Sequence, residues 1–181
     1  MVPLSLVLES ERLRLRHFTP EDLDELAAIL TDPETMKYYA RPFTVEEAKG
    51  WIDQNIERYE VDGFGLWAIV SKEDGEFLGD CGPVRRLVDG YEEVEIGWQV
   101  KRSRWRQGIA SEAGAACRDY AFGTLGLDRV ISLIRPENIP SRGVAEKIGM
   151  SIEKEIDYKG MAHYVYFQEL LIDPSVGRGP G

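Results

Sequence analysis

The chain has 181 residues, 43% hydrophobic and 30% charged, with a net charge of −10. That length suits one domain with a single core, and an acidic balance argues against general nucleic-acid binding, which favours basic domains. The chain has two cysteines, Cys81 and Cys117, without a CxxC pair, and two histidines, His17 and His163. This excludes a disulfide framework and a spaced metal set, so a reducing, cytoplasmic setting is the default. No apolar run is long enough to span a membrane. The apolar start, residues 1–8, is too short for a signal peptide and has no basic leader.

Residues 10–18 alternate Leu13 and Leu15 with Arg12, Arg14 and Arg16, a strand pattern. Thr19-Pro20-Glu21-Asp22 reads as an N-cap with proline in the first turn. Leu23, Leu26, Ala27 and Leu30 follow at helical spacing, and Asp32-Pro33 ends that helix. Thr44 with Glu47 forms a capping-box pattern for a helix reaching about Tyr59. Strands are predicted over 65–71, 76–84, 92–100 and 130–135. Turn signals at Asp74-Gly75 and Asp89-Gly90-Tyr91 make the first three an antiparallel meander. A helix over 108–123 carries the chain to the fourth strand. A short helix over 141–148 ends at Gly149, and strands 150–158 and 163–171 join near Lys159-Gly160. The order is β-α-α-β-β-β-α-β-α-β-β in one domain, residues 1–172. The tail, 173–181, is expected to be disordered.

The most informative stretch is Trp105-Arg106-Gln107-Gly108-Ile109-Ala110-Ser111-Glu112-Ala113, between a strand and a helix. The first N–H groups of a helix have no partner within it, and the helix dipole favours an anion there. Lys101, Arg102, Arg104 and Arg106 stand close by to screen phosphates; the competing reading is a solvated charge run. Neither GxGxxG nor GxxxxGK[ST] occurs, which removes the dinucleotide and P-loop readings. The helix has a small-residue face, Ala110, Ala113, Gly114 and Cys117, that would let it lie close to a sheet.

The turn resembles the acyl-CoA pyrophosphate loop of the GNAT superfamily of N-acetyltransferases, written [RQ]-x-x-G-x-[GA]. Trp105 stands at its first position. That departure is similar to the Rim-type branch (ribosomal-protein N-terminal acetyltransferases), where W-G-x-G-x-A-[ST]-E-A is usual, and Arg106 replaces the first glycine of that form. Three further matches fall in order: Arg12-Leu13-Arg14-Leu15-Arg16, Glu95-Ile96-Gly97, and Asn138-Ile139-Pro140-Ser141 through Gly149-Met150. The resemblance implies an α/β fold. It would be a GNAT-like mixed, mostly antiparallel central sheet, splayed in the middle and flanked by helices. It also implies acetyl-CoA as donor, no metal, and direct attack of an amine on the thioester.

On that basis the donor site comprises Arg106, Gln107, Gly108, Ile109, Ala110 and Ser111 at the phosphates. Trp98 and Val100 lie along the pantetheine arm, and Asn138 orients the strand end. Glu95 is the candidate base, with Glu93 its rival and a structural carboxylate the alternative. Ser141 is the candidate partner of the departing thiolate, or simply the helix N-cap. Tyr38 and Tyr39, between the first two helices, are candidate acceptor residues, with core packing as the competing role. The acceptor is a peptide or protein N-terminal amine first and a small amine second. The rival class is a non-catalytic acyl-CoA-binding sensor. A homodimer is common in this family.

Overall fold

The computed structural model describes residues 5–171. Eight strands form one sheet: β1 (Leu6–Glu9), β2 (Leu13–Arg16), β3 (Trp67–Ser71), β4 (Phe77–Val88), β5 (Tyr91–Val100), β6 (Arg129–Ile134), β7 (Ser151–Tyr158) and β8 (Met161–Glu169). Four helices flank it: α1 (Leu23–Leu30), α2 (Val45–Val61), α3 (Ile109–Gly123) and α4 (Ile139–Lys147). The strand order is β1-β2-β3-β4-β5-β6-β8-β7. All neighbours are antiparallel except β5 and β6, which are parallel. This is the mixed, mostly antiparallel, helix-flanked sheet that the sequence predicts.

Local chemistry sets several boundaries. The Thr44 hydroxyl accepts from the Glu47 N–H at 3.1 Å, and the Glu47 carboxylate accepts from the Thr44 N–H at 2.8 Å. This reciprocal pair starts α2. The apolar stripes of α1 and α2, Leu26, Leu30 and Ile52 among them, pack with Ala68 and Val84 on one face of the sheet. On the other face, Ala113 and Cys117 of α3 join Trp67 and Ile96 in a second core. Small residues bring α3 close: a Cβ at Gly114 would lie 3.3 Å from Ile148 Cδ1.

Three boundaries differ from expectation. Residues 6–9 form β1, hydrogen-bonded to β2 with Leu8 opposite Leu15. A four-residue strand is too short to show alternation. β4 continues to Val88 because its antiparallel ladder with β5 runs unbroken to Val88 opposite Tyr91. α4 begins at Ile139, capped by Asn138, before the expected Ser141. The expectation for residues 173–181 lies outside the described residues. No helix among the described residues is long and apolar enough to cross a membrane.

The parallel pair positions the site. β5 and β6 meet at one register position, Glu95 opposite Ile131. Side chains span the seam around it. Ser132 Oγ donates to the Ile96 carbonyl at 2.7 Å, and Glu95 Oε2 accepts from the Leu133 N–H at 3.3 Å. The N–H and C=O of one strand residue point the same way and alternate along the strand. Ile96, Trp98 and Val100 therefore turn their main-chain groups towards β6. The Val100 carbonyl accepts from Trp105 Nε1 at 2.7 Å, and the main chain of Trp98 faces the gap.

Gly79 lets β4 approach the end of β5: a Cβ there would lie 1.9 Å from the Gln99 carbonyl oxygen, at φ +148°. Gly79→Ala is expected to destabilise the fold by about 1–3 kcal/mol through overpacking. Urea unfolding would read this as a lower midpoint, and an unchanged midpoint would contradict the account.

Candidate active site

The loop before α3 is fixed from both ends. Trp105 fastens it to the end of β5 through the Val100 carbonyl. Arg106 takes φ +61° and Gly108, the N-cap of α3, takes φ +76°. Arg106 thus adopts the left-handed conformation that a glycine would take more cheaply. The N–H groups of Gly108, Ile109, Ala110 and Ser111 donate no hydrogen bond within the described residues. Four donors converge at the positive end of a 15-residue helix. They open onto a groove of about 520 Å³ whose lining includes Arg12, Gln107, Gly108, Ser111, Arg118 and Lys147.

Three of the four cations expected to screen phosphates have acidic partners in the structure. Lys101 lies 3.0 Å from Glu76 and 3.5 Å from Glu25, and Arg104 is bound to Glu76 and Asp74. Arg102 is 3.6 Å from Asp32. These three neutralise acids on α1, the loop after it and the β3–β4 turn. Arg106 is exposed and makes no ion pair among the described residues. The cations that line the groove are Arg12, paired with Glu112, Arg118, paired with Asp119, and Lys147. Sequence reasoning missed all three because they lie far from the loop in the chain. The one available hint was Arg12 in its ordered motif.

The N-cap role considered for Ser141 falls to Asn138. Asn138 Oδ1 accepts from the Ser141 N–H at 3.2 Å, so Asn138 is the N-cap of α4. Ser141 sits in the first turn with its hydroxyl free of capping duty. Its Oγ accepts from Trp98 Nε1 at 3.3 Å. The Trp98 ring lies 3.8 Å from a Cβ position on Gly114. Trp98 and Ser141 therefore meet on the α3–α4 face of the sheet, beside the open edge of β5.

Glu95, Gly97 and Gln99 lie on the opposite face, towards α1 and α2. Glu95 Oε1 accepts from Arg86 Nε at 3.0 Å while Oε2 takes the Leu133 N–H. Glu93 is held by Arg129 at 3.0–3.2 Å. Gln99 Nε2 donates to the Tyr39 hydroxyl at 2.6 Å. The Tyr38 carbonyl accepts from Arg135 Nη1 at 3.2 Å. The α1–α2 connector thus crosses to the ends of β5 and β6, on the two sides of the gap. Tyr39 is 39% exposed as a whole residue, with its ring packed edge-on against Phe43 at 5.8 Å between centroids. At its inward hydroxyl, held by Gln99, desolvation and then the charges of Asp80 and Glu95 push the phenol pKa up. The group is a neutral hydroxyl across the physiological range.

Asp80 escaped the sequence reading. It is fully buried on β4 opposite Gln99, and its Oδ2 accepts from Trp51 Nε1 at 2.9 Å. Its Oδ1 has no hydrogen-bond partner among the described residues. Burial pushes the carboxyl pKa up to about 7.

Comparison with known proteins agrees with this geometry. The family described as "Acetyltransferase (GNAT) domain" matches residues 12–151. The chain is 36% identical over 172 residues to the uncharacterized N-acetyltransferase p20 of Bacillus licheniformis, covering 91% of this chain and 95% of p20. It is 34% identical over 155 residues to the FsC-acetyl coenzyme A-N(2)-transacetylase of Aspergillus fumigatus, covering 80% of this chain and 64% of that one. A likeness of fold, at 18% identity and a TM-score of 0.74, extends to RimL, a ribosomal L7/L12 alpha-N-protein acetyltransferase solved with coenzyme A. It covers 92% of this chain and 98% of RimL. The chain belongs to the GNAT acetyltransferase family and is an N-acetyltransferase. The family draws its acetyl group from acetyl-CoA. No cluster of three or more metal-ligating side chains occurs among the described residues.

The Asp80 carboxyl gives stability a definite pH dependence. Its folded pKa of about 7 lies above the unfolded value of ~3.9. Below pH ~4 both states are protonated and the burial costs nothing extra. As pH rises towards 7 only the unfolded state ionises, and stability is lost by an amount on the order of 3 kcal/mol. Asp80→Asn should flatten the stability profile between pH 4 and 7. Parallel profiles for the variant and the parent would contradict the burial account.

Proposed function

We propose that the chain transfers an acetyl group from acetyl-CoA directly to a primary amine of low basicity. The observation that carries this reading is the open seam between β5 and β6, ending at the unpaired N–H groups of α3. In this reading the loop from Arg106 to Ser111 holds the pyrophosphate, with Gln107, Gly108, Ile109 and Ala110 contributing main chain. The pantetheine arm, which resembles a short peptide, lies along Trp98 and Val100, adding to the exposed edge of β5. The Trp98 N–H is placed to polarise the thioester carbonyl. Asn138 orients the first turn of α4, and the Ser141 hydroxyl protonates or hydrogen-bonds the departing thiolate. The Trp98 indole donates to Ser141 Oγ, which leaves the hydroxyl proton available.

Tyr38 and Tyr39 border the acceptor on the other face, with Glu95 close enough to Tyr39 for its charge to act on the phenol. Both Glu95 oxygens already accept hydrogen bonds, so the carboxylate reaches the acceptor at most through a water. That supports an acceptor that needs little help to lose its proton. Neutralising a lysine ammonium at pH 7 costs roughly 4–5 kcal/mol, whereas an α-amine costs about 1–1.5. A peptide N-terminus and an α-amine of a small molecule both meet the condition. A peptide N-terminus is the acceptor to test first and a small amine second; the relative named as an FsC-acetyl coenzyme A-N(2)-transacetylase, at 34% identity, is a reason to keep both in the screen. The buried free thiols Cys81 and Cys117 fit a cytoplasmic setting.

Acetyl-CoA at ~100 times its dissociation constant should stabilise the fold by about 2.7 kcal/mol, read as a raised melting temperature. ATP and NAD serve as controls. A rise with ATP or NAD but none with acetyl-CoA would overturn the donor assignment. Ser141→Ala should lower kcat by about 10²-fold while acetyl-CoA still raises the melting temperature. Full turnover in that variant would remove Ser141 from the chemistry.

A further inference from the structure

Arg12, just before β2, lines the groove at the α3 N-terminus and has no part in the transfer as proposed. Arg12 reaches from the β1–β2 hairpin to the start of α3. Its main-chain N–H donates to Glu112 Oε1 at 2.7 Å, its Nε to Glu112 Oε2 at 2.6 Å, and its Nη1 to the Gln107 carbonyl at 2.9 Å. Ser10 Oγ adds a bond to Glu112 Oε1 at 2.6 Å. The guanidinium is therefore oriented by two acceptor contacts, to Glu112 Oε2 and the Gln107 carbonyl, and the main-chain bond to Glu112 fixes the residue beneath it. Its remaining nitrogen, Nη2, makes no hydrogen bond among the described residues and lies 3.4 Å from the Cβ position of Gly108. That places two unspent N–H donors and a positive charge at the mouth of the cradle formed by Gly108 to Ser111. Half of the side chain is solvent-exposed, so an incoming anion can reach it.

Glu112 explains why an arginine is needed. It stands in the first turn of α3 and lines the same groove. Its carboxyl pKa is lowered: hydrogen bonds from Ser10 and Arg12 outweigh the opposing effect of burial. An ionised carboxylate beside a phosphate site is repulsive unless a cation covers it. A guanidinium can bind the carboxylate with one edge and a phosphate with another, which an ammonium cannot do as rigidly.

We propose that Arg12 is itself a ligand of the donor's phosphates, with Glu112 as the positioning residue that aims it. This rests on the reading of acetyl-CoA as donor and extends the site to the N-terminal hairpin. The test compares dissociation constants for acetyl-CoA and for S-acetylpantetheine, which has no phosphate. Arg12→Ala should weaken acetyl-CoA by about ten- to a hundredfold and S-acetylpantetheine by less than twofold. Arg12→Ala combined with Glu112→Gln should recover part of the loss, because the unmasked carboxylate is gone. Arg12→Lys keeps the ion pair without the second edge, and should show the same selective loss if the alanine variant does not fold. Equal losses for both donors, or none for acetyl-CoA, would overturn the assignment to Arg12. No recovery in the double variant would overturn the role of Glu112. Wild-type protein that binds neither donor would refute the acetyl-CoA reading itself, a result distinct from wild-type binding that Arg12→Ala leaves unchanged.

Discussion

Strands β5 and β6 run side by side in the same direction and share one register position, Glu95 with Ile131. Main-chain groups that lose their ladder in a protein interior need other partners. Here Ser132 and Glu95 supply side-chain bonds across the seam, and Trp105 closes the far end by taking the Val100 carbonyl. The residues between are left with polar groups facing an opening. The rest of the site is arranged around that opening. The α3 N-terminus lies past one end of it, Trp98 and Ser141 flank it on one face, and Glu95 and Gln99 flank it on the other.

This arrangement separates two kinds of chemistry by a single strand. Alternation along β5 sends Trp98 towards α3 and α4, and Glu95 and Gln99 towards α1 and α2. The first side is built from aromatic surface, a free hydroxyl and unpaired N–H groups. The second side carries most of the buried charge. Arg86 holds Glu95, Gln99 holds Tyr39, and Asp80 lies below with one oxygen unsatisfied. Such a polar floor is costly in the interior unless neutralised or paired. The raised Asp80 carboxyl is the form that cost takes here.

Much of the frame was legible because it rests on local signals. The Thr44–Glu47 capping box, the hairpin turns and the small-residue face of α3 each act over a few residues, and each appears where the pattern places it. The loop from Trp105 to Ser111 was legible for the same reason, although Arg106 takes a left-handed conformation that its side chain would not suggest. What the sequence hid are pairings across distance. Lys101 and Arg104 looked like phosphate ligands until Glu76, from the preceding hairpin, came to lie beside them. Arg12 looked like one member of an alternating strand, and its partner Glu112 is a hundred positions away. Asn138 and Ser141 show a finer limit. Both were picked out, but the division between cap and free hydroxyl depends on a shift of the helix start by two residues.

The seam also divides the main-chain ladder of the sheet. On one side lie five strands joined only by antiparallel neighbours, with α1 and α2 against them; on the other are β6, β8 and β7, with α4. Little main-chain ladder crosses between the two parts, and the crossover through α3 packs against both β4–β5 and α4. What joins the two parts is side-chain packing: one core runs beneath the seam from Trp67 and Ile96 to Val130, Ile134 and Tyr166. A ligand lying along the seam would touch both parts at once. It would therefore couple them, so that the cooperativity of unfolding, as well as its midpoint, would depend on what occupies the gap.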